Sequence, residues 1–135
     1  MESRIFVDSS AWYALVDEDD ANHKAARDLL MQALADYRLV TSNHIIGESY
    51  TLLRSRLGYD IAVEFLHRVR RSLRVERVFV TQSWEEEAYS LLERYHDQDF
   101  SFVDATSFVV MKALDIPKAF AFDKHFTTAG FVVLE

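Results

Sequence analysis

Ile5-Phe6-Val7-Asp8 and Ala119-Phe120-Ala121-Phe122-Asp123 are two short apolar runs, and each of them ends in an aspartate. Runs of this length are typical of buried strands in a parallel sheet. The carboxyl ends of parallel strands border the crevice in which such sheets bind ligands. The two runs therefore predict that Asp8 and Asp123 lie at the same edge of a sheet and mark a functional site.

Segments with helical periodicity separate the candidate strands. Strands are expected at residues 5–7, 39–41, 78–80, 119–122 and 131–134. Helices are expected at residues 10–16, 42–56, 59–72, 101–114 and 124–128, and two more begin after Asn22 and at a capping box of Ser83 and Glu86. Strands that alternate with helices pair in parallel through right-handed crossovers. We therefore predict one α/β domain over residues 1–135, a three-layer α/β/α sandwich with a mostly parallel sheet of four to five strands.

The composition indicates a soluble domain without disulfides. Half of the 135 residues are hydrophobic, enough for a core that buries roughly two thirds of the surface of the unfolded chain. The absence of cysteine excludes disulfides and thiolate zinc sites. No window of the sequence approaches the roughly 20 apolar residues of a membrane-spanning helix. We therefore expect a cytoplasmic protein that does not bind membranes.

The net charge of −7 argues against nucleic acid as a partner, but the basic residues are unevenly distributed. The segment from Arg54 to Arg77 has a local excess of positive charge. Its basic residues are Arg54, Arg56, Arg68, Arg70, Arg71, Arg74 and Arg77, against the acidic residues Asp60, Glu64 and Glu76. This basic segment is suited to an RNA backbone or an acidic partner, and a solvated helix face explains it as well.

Two further acids lie near predicted helix starts. Glu48 shares a helix face with Ile45 and Leu52, where a buried carboxylate is costly without a cation beside it. A partly exposed glutamate at the helix edge is the alternative. Ser101 and Asp104 have the spacing of a capping box, in which the carboxylate only caps the helix.

Taken singly, Asp8 and Asp123 are also explained as aspartates that start a turn or cap the next helix. Four acids at four element ends are difficult to explain as independent caps. They are Asp8, Glu48, Asp104 and Asp123. Clustered carboxylates repel one another, and a divalent cation relieves that repulsion. Oxygen ligands without histidine or cysteine favour Mg²⁺ or Mn²⁺ over zinc, and these ions activate water and stabilise charge on a leaving oxygen. The pattern predicts metal-dependent phosphodiester hydrolysis.

The acids belong to motifs with a characteristic order and spacing. The motifs are Asp8-Ser9-Ser10 after the first strand, His23 and Ala26, Glu48, Asp99-Phe100-Ser101-Phe102-Val103-Asp104-Ala105, and Phe122-Asp123-Lys124-His125-Phe126 before Gly130. In this order they resemble the PIN-domain family, and within it the VapC-like toxins of bacterial toxin–antitoxin pairs. The resemblance covers essentially the whole chain.

This resemblance implies an endoribonuclease that uses Mg²⁺ or Mn²⁺ to cleave single-stranded RNA. It assigns the metal site to the four acids, with Asp8 and Asp104 as direct ligands. Glu48 and Asp123 would hold a second ion or the attacking water. The resemblance also implies a homodimer and a small antitoxin protein as partner.

Several neighbouring residues have two interpretations. The Ser9 hydroxyl either joins the site or caps a helix, and Asp99 either belongs to the acidic rim or is solvated. Trp12 and Tyr13 either contact a partner or pack in the core. Two other functions stay open: a PIN-like nuclease for structured RNA or DNA outside a toxin system, and a non-catalytic module that binds nucleic acid or protein.

Overall fold

The computed structural model describes residues 3–134, which form a five-stranded parallel sheet flanked by seven helices. The strands are β1 (Ser3–Val7), β2 (Tyr37–Ser42), β3 (Val75–Val78), β4 (Lys118–Phe120) and β5 (Val132–Val133). The helices are α1 (Ser9–Val16), α2 (His23–Asp36), α3 (Asn43–Leu57), α4 (Tyr59–Arg71), α5 (Gln82–Arg94), α6 (Phe102–Ala113) and α7 (His125–Thr128). The predicted α/β/α fold class is confirmed. The predicted single domain also includes residues 1, 2 and 135, which lie outside the described residues.

The strand order β3-β2-β1-β4-β5 places β1 at the centre of the sheet. The chain moves outward from β1 to β3 on one side, then crosses back to β4 and β5 on the other. All pairings are parallel, and Val7 of β1 lies opposite Phe120 of β4. The order of the strands therefore reverses between β1 and β4, and such a switch point opens a crevice at the carboxyl ends of the strands.

Fully buried aromatic and aliphatic side chains fix the elements around this crevice. Phe6 and Phe120 on the two central strands have no exposed surface, and neither has Phe126 on α7. The Phe126 ring packs on Phe6 at a centroid distance of 6.4 Å and on Phe108 of α6 at 5.1 Å. Burying one such side chain stabilises the fold by about 1.5–3 kcal/mol. These contacts hold α6 and α7 against the central strands.

Several predicted boundaries near the carboxyl edge are wrong. β3 ends at Val78, because the Val80 N–H donates to the Asn43 side chain at 2.9 Å rather than to a neighbouring strand. The cap of α5 is Thr81 and not Ser83, since the Thr81 hydroxyl accepts a hydrogen bond from the Trp84 N–H at 3.1 Å. Similarly, β4 and β5 are shorter than predicted, at three and two residues.

The other helix ends agree more closely with the predictions. Gly58 ends α3 with a φ of 99°, in the left-handed region that glycine adopts without strain. The predicted capping box of Ser101 and Asp104 opens α6. Asn22 precedes α2, but its side chain makes no capping hydrogen bond.

Trp12 and Tyr13 belong to the core, so the interpretation of them as exposed partner contacts is wrong. Each side chain is only 8% exposed. The Trp12 ring packs edge-on against Phe65 at 5.8 Å, and its N–H donates to the Thr41 hydroxyl at 3.2 Å. Within residues 3–134, none of the helices is long and apolar enough to cross a membrane.

Candidate metal centre

Asp8 caps α1 at the carboxyl end of β1. Its Oδ2 atom accepts hydrogen bonds from the Ser10 backbone N–H at 3.1 Å and from the Ser10 hydroxyl at 2.7 Å. The same hydroxyl accepts a hydrogen bond from the Phe122 N–H at 2.9 Å, while the Asp8 N–H donates to the Phe120 carbonyl at 3.0 Å. Ser10 therefore ties Asp8 to the segment that leads from β4 to Asp123.

Asp104 and Asp123 meet around His125. Asp104 Oδ2 accepts a hydrogen bond from the Ser101 N–H at 3.0 Å and lies 2.7 Å from His125 Nδ1. Asp123 Oδ1 accepts a hydrogen bond from the His125 backbone N–H at 2.9 Å. Asp104, Asp123 and His125 can each offer one ligand atom, and these atoms lie within 4.8 Å of one another. The three side chains form a group of the size that can hold a metal ion.

Asp8, Asp104 and Asp123 each use one carboxylate oxygen for a local backbone contact. Asp8 caps α1, Asp104 belongs to the capping box of α6, and Asp123 forms a turn before α7. Among residues 3–134, no backbone N–H donates to the second oxygen of any of the three, and the side chains of Asp8 and Asp123 form a hydrogen bond with each other. The capping interpretation is therefore correct for Asp8 and Asp104, and it is compatible with a ligand role, because one oxygen caps while the other has no backbone donor.

Glu48 approaches the centre through Ser9. The Ser9 hydroxyl donates to Glu48 Oε1 at 2.5 Å, which joins α1 to α3 beside Asp8. Ser9 is the first residue of α1 and the cap is Asp8, so the capping interpretation of Ser9 is wrong. Neither Glu48 nor Asp8 is a member of the 4.8 Å group. In addition to burial, however, the charges of Asp123 and Asp104 raise the pKa of Asp8, so Asp8 lies near them. We therefore expect Glu48 to orient the neighbouring groups or to hold a second ion or a water molecule.

The electrostatics of the cluster favour a bound cation. Burial raises the pKa of Asp8 to about 7, with further increases from the charges of Asp123 and Asp104 and decreases from the Ser10 hydrogen bonds. Burial also raises the pKa of Asp123, and the charge of Asp104 adds to that effect. Asp8 is only 2% exposed, so solvent compensates little of this cost. The carboxylate oxygens fit a hard divalent cation, but the prediction of a ligand set without histidine is wrong, because the group also includes His125.

We predict that Asp8 makes the metal-free protein less stable as the pH rises from about 4 to about 7. In this window the unfolded chain has lost the Asp8 proton, whereas the folded chain keeps it, because its pKa is about 7 instead of 3.8. A divalent cation binds the deprotonated cluster, so its stabilising effect should increase over the same window. Urea unfolding of the wild type and Asp8→Asn at several pH values, with EDTA or Mn²⁺, measures both effects.

The difference in unfolding free energy between the two proteins isolates Asp8 from the other titrating groups. With EDTA, the wild type should lose stability relative to Asp8→Asn as the pH rises. A difference that stays constant from pH 4 to pH 8 would contradict the prediction.

The sequence pattern assigned no role to His125, although it lies in one of the quoted motifs. Its position two residues after Asp123, at the start of α7, is the only local signal of its contact with Asp104. Asp99, a candidate for the acidic rim, has an exposed side chain and is not part of the 4.8 Å group.

The sequence of this chain is similar to those of known proteins. The model of the PIN domain family matches residues 5–132. The chain belongs to the PIN-domain family. It is also 44% identical over 128 residues to the 23S rRNA-specific endonuclease VapC20 of Mycobacterium tuberculosis, in the strains CDC 1551 / Oshkosh and ATCC 25618 / H37Rv, and the match covers 95% of this chain and 95% of each relative.

Two solved structures share the fold of this chain. The crystal structure of M. tuberculosis VapC20, described as a sarcin–ricin loop cleaving toxin, matches with a TM-score of 0.88 at 43% identity. The match covers 95% of this chain and 96% of that one. FitAcB from Neisseria gonorrhoeae matches with a TM-score of 0.66 at 13% identity, covering 97% and 96%, a likeness of fold alone. The resemblance to VapC-like members of the PIN-domain family is confirmed.

Proposed function

We propose that this protein is a metal-dependent endoribonuclease that cleaves single-stranded RNA and acts as the toxin of a toxin–antitoxin pair. The observation that carries the proposal is the group of Asp104, Asp123 and His125 at the switch point of the sheet. Asp8 lies near enough for the charges of Asp123 and Asp104 to raise its pKa beyond the effect of burial. Similarity to an rRNA-specific endonuclease over 95% of the chain supports RNA as the substrate.

The residues present fit Mg²⁺ or Mn²⁺. Asp8, Asp104 and Asp123 would bind the ion directly, and Glu48 would hold a second ion or a water molecule. When bound, the metal lowers the pKa of a water molecule and stabilises charge on the leaving oxygen of the phosphodiester. The four-acid assignment is a proposal that rests on the positions of the side chains.

The surrounding residues hold these carboxylates in fixed orientations. Ser10 fixes one oxygen of Asp8, and Ser101 and His125 fix one oxygen of Asp104. The hydrogen bond from the Ser9 hydroxyl restrains the carboxylate of Glu48. Side chains that are already held in position lose little conformational freedom when substrate binds. This lowers the activation barrier of the reaction.

The basic segment is exposed in the structure. Its seven arginines all have solvent-exposed side chains, and Arg68 forms an exposed ion pair with Glu64 at 3.1 Å. A solvated helix face therefore explains much of the segment. We propose that its remaining charges give sequence-independent affinity for RNA, an effect that declines with salt.

Cleavage assays on purified protein test the proposal. A single-stranded oligonucleotide with the sequence of the sarcin–ricin loop is the first substrate, because the crystallised relative cleaves that loop. We expect internal cleavage with Mn²⁺ or Mg²⁺ and none with EDTA. Equal cleavage of duplex DNA would favour the alternative nuclease. Tight RNA binding without cleavage in either metal would favour a binding module.

The partner proposals follow from the family resemblance. We propose that a small antitoxin inhibits the enzyme, that two copies form a homodimer, and that the enzyme acts in the cytoplasm, where ribosomal RNA lies. A short adjacent reading frame for a small DNA-binding protein would support the toxin role. Light scattering that gives 15.7 kDa instead of twice that mass would contradict the homodimer.

A further inference from the structure

A partly open cavity of about 660 Å³ lies between α5, α6, α7 and the start of β5. Its apolar lining includes the aromatic rings of Phe100, Phe108 and Phe131 together with Leu91 and Val109. Phe108 packs on Phe100 at 5.1 Å and on Phe131 at 5.6 Å, so the rings support one another. A cavity of this volume, with an apolar wall and a few polar groups, is typical of a site for a small ligand or a base.

The cavity lies beside the metal centre and shares a wall with it. The Phe100 ring lines the cavity and also contacts the His125 ring edge-on, at a centroid distance of 5.6 Å. Helix α7 begins at His125 in the centre and ends at Thr128, which lines the cavity. Three residues, a rise of about 4.5 Å, separate His125 from Thr128 along α7, and the cavity extends from there along α6 to Lys112. The near end of the cavity is therefore within reach of a nucleotide adjacent to the scissile phosphate.

Tyr95 contributes a partly exposed aromatic ring to the lining of this cavity. Its side chain is 44% exposed and packs edge-on against Phe100 at 6.3 Å. The Arg94 guanidinium lies over the Tyr95 ring at 5.5 Å from the centroid. Single-stranded RNA is bound by stacking of unpaired bases on aromatic rings and guanidinium planes. Tyr95 and Arg94 thus supply both kinds of stacking surface.

The charge around the cavity is complementary to RNA. Arg94 and Lys112 line it, and Glu87 is the single acidic residue among the lining side chains of the described part of the chain. This positive balance occurs in a chain with a net charge of −7. Ser90 and Gln98 also line the cavity and provide hydrogen-bonding groups for a base edge.

We propose that this cavity receives an unpaired base of the RNA substrate, next to the nucleotide at which the strand is cleaved. The base stacks on Tyr95 and Phe100, and Arg94 and Lys112 contact the adjacent phosphates. The cavity therefore determines which base is accepted beside the cleaved bond. This inference rests on the proposed ribonuclease function.

Binding measurements with cleavage blocked test the stacking contact. The Asp8→Asn protein is titrated into RNA that carries the fluorescent base 2-aminopurine beside the cleavage position mapped with the wild type. Adding Tyr95→Leu should weaken binding about 5- to 150-fold and abolish quenching of the fluorophore, because the aromatic face is removed. Adding Tyr95→Phe should leave both nearly unchanged, since it keeps the ring.

The interactions with phosphate are tested by salt dependence. Changing Arg94 and Lys112 together to Gln should lower the slope of log affinity against log salt by about 0.7 for each phosphate that is no longer neutralised. Lys24→Gln on α2, outside the cavity, is the control and should change the slope less.

The outcomes separate the cavity from the catalytic function. If the wild type cleaves RNA while Tyr95→Leu changes neither affinity, quenching nor base preference beside the cut, the cavity proposal is overturned and the ribonuclease stands. If the wild type neither binds nor cleaves RNA with Mn²⁺, both proposals are overturned. A base preference that changes in Tyr95→Leu and persists in Tyr95→Phe supports the cavity.

Discussion

Replacing Asp8 by Asn is expected to reduce Mn²⁺-dependent RNA cleavage by about three orders of magnitude or more, while making the metal-free protein more stable at pH 8. Activity falls because a neutral amide is a poor ligand for a hard cation, and the metal supplies several kcal/mol of transition-state stabilisation. Stability should rise by about 1–3 kcal/mol, because burial of the ionised Asp8, whose pKa is about 7, is then no longer required.

Two measurements on the same variant check this prediction. Single-turnover cleavage gives the activity, and urea unfolding with EDTA gives the free energy of unfolding. Asp99→Asn is the control, since the side chain of Asp99 is exposed whereas that of Asp8 is buried. It should retain activity and stability within experimental error. Cleavage by Asp8→Asn at the wild-type rate would refute the role of Asp8.

Asp104→Asn is expected to reduce cleavage by about two to three orders of magnitude with little change in stability. The amide oxygen of Asn can still accept the Ser101 N–H, so the cap of α6 remains, whereas the charged ligand beside His125 is removed. Ser101→Ala is the converse variant. It should cost about 1 kcal/mol through removal of the cap and retain most of the activity.

This pair of variants separates the two functions that Asp104 combines. Thermal unfolding measures the capping contribution, and the change in melting temperature with Mn²⁺ measures the site. Asp104→Asn should lose most of the Mn²⁺-dependent shift, and Ser101→Ala should keep it. If Asp104→Asn cleaves RNA normally and responds normally to Mn²⁺, Asp104 is only a helix cap.

The local patterns of the sequence predicted the regular elements well where one interaction dominates. The apolar run at residues 5–7 is typical of a buried strand, and β1 includes it. The spacing of Ser101 and Asp104 specified a capping box because both partners lie within one helical turn. The prediction failed for the end of β3. The Val80 N–H donates to the side chain of Asn43, on α3, instead of pairing with a neighbouring strand.

The site was harder to predict because its contacts connect distant parts of the chain. Ser9 contacts Glu48 across 39 positions, and Ser10 contacts Phe122 across 112. Neither contact has a local sequence signal. Trp12 was ambiguous for the same reason, because its burial depends on Phe65 in a different helix.

Neighbouring residues alone were enough to show that Asp8 and Asp123 follow apolar strands and that parallel strands bring such acids to one edge. Periodicity and capping are local properties, so they are readable from short stretches of the chain. The folded arrangement was needed to show that β1 and β4 are adjacent, that His125 contacts Asp104, and that a cavity adjoins the centre. These features depend on the packing of residues that are more than 20 positions apart in the chain. At that separation, the identity of a residue does not specify which residue it contacts.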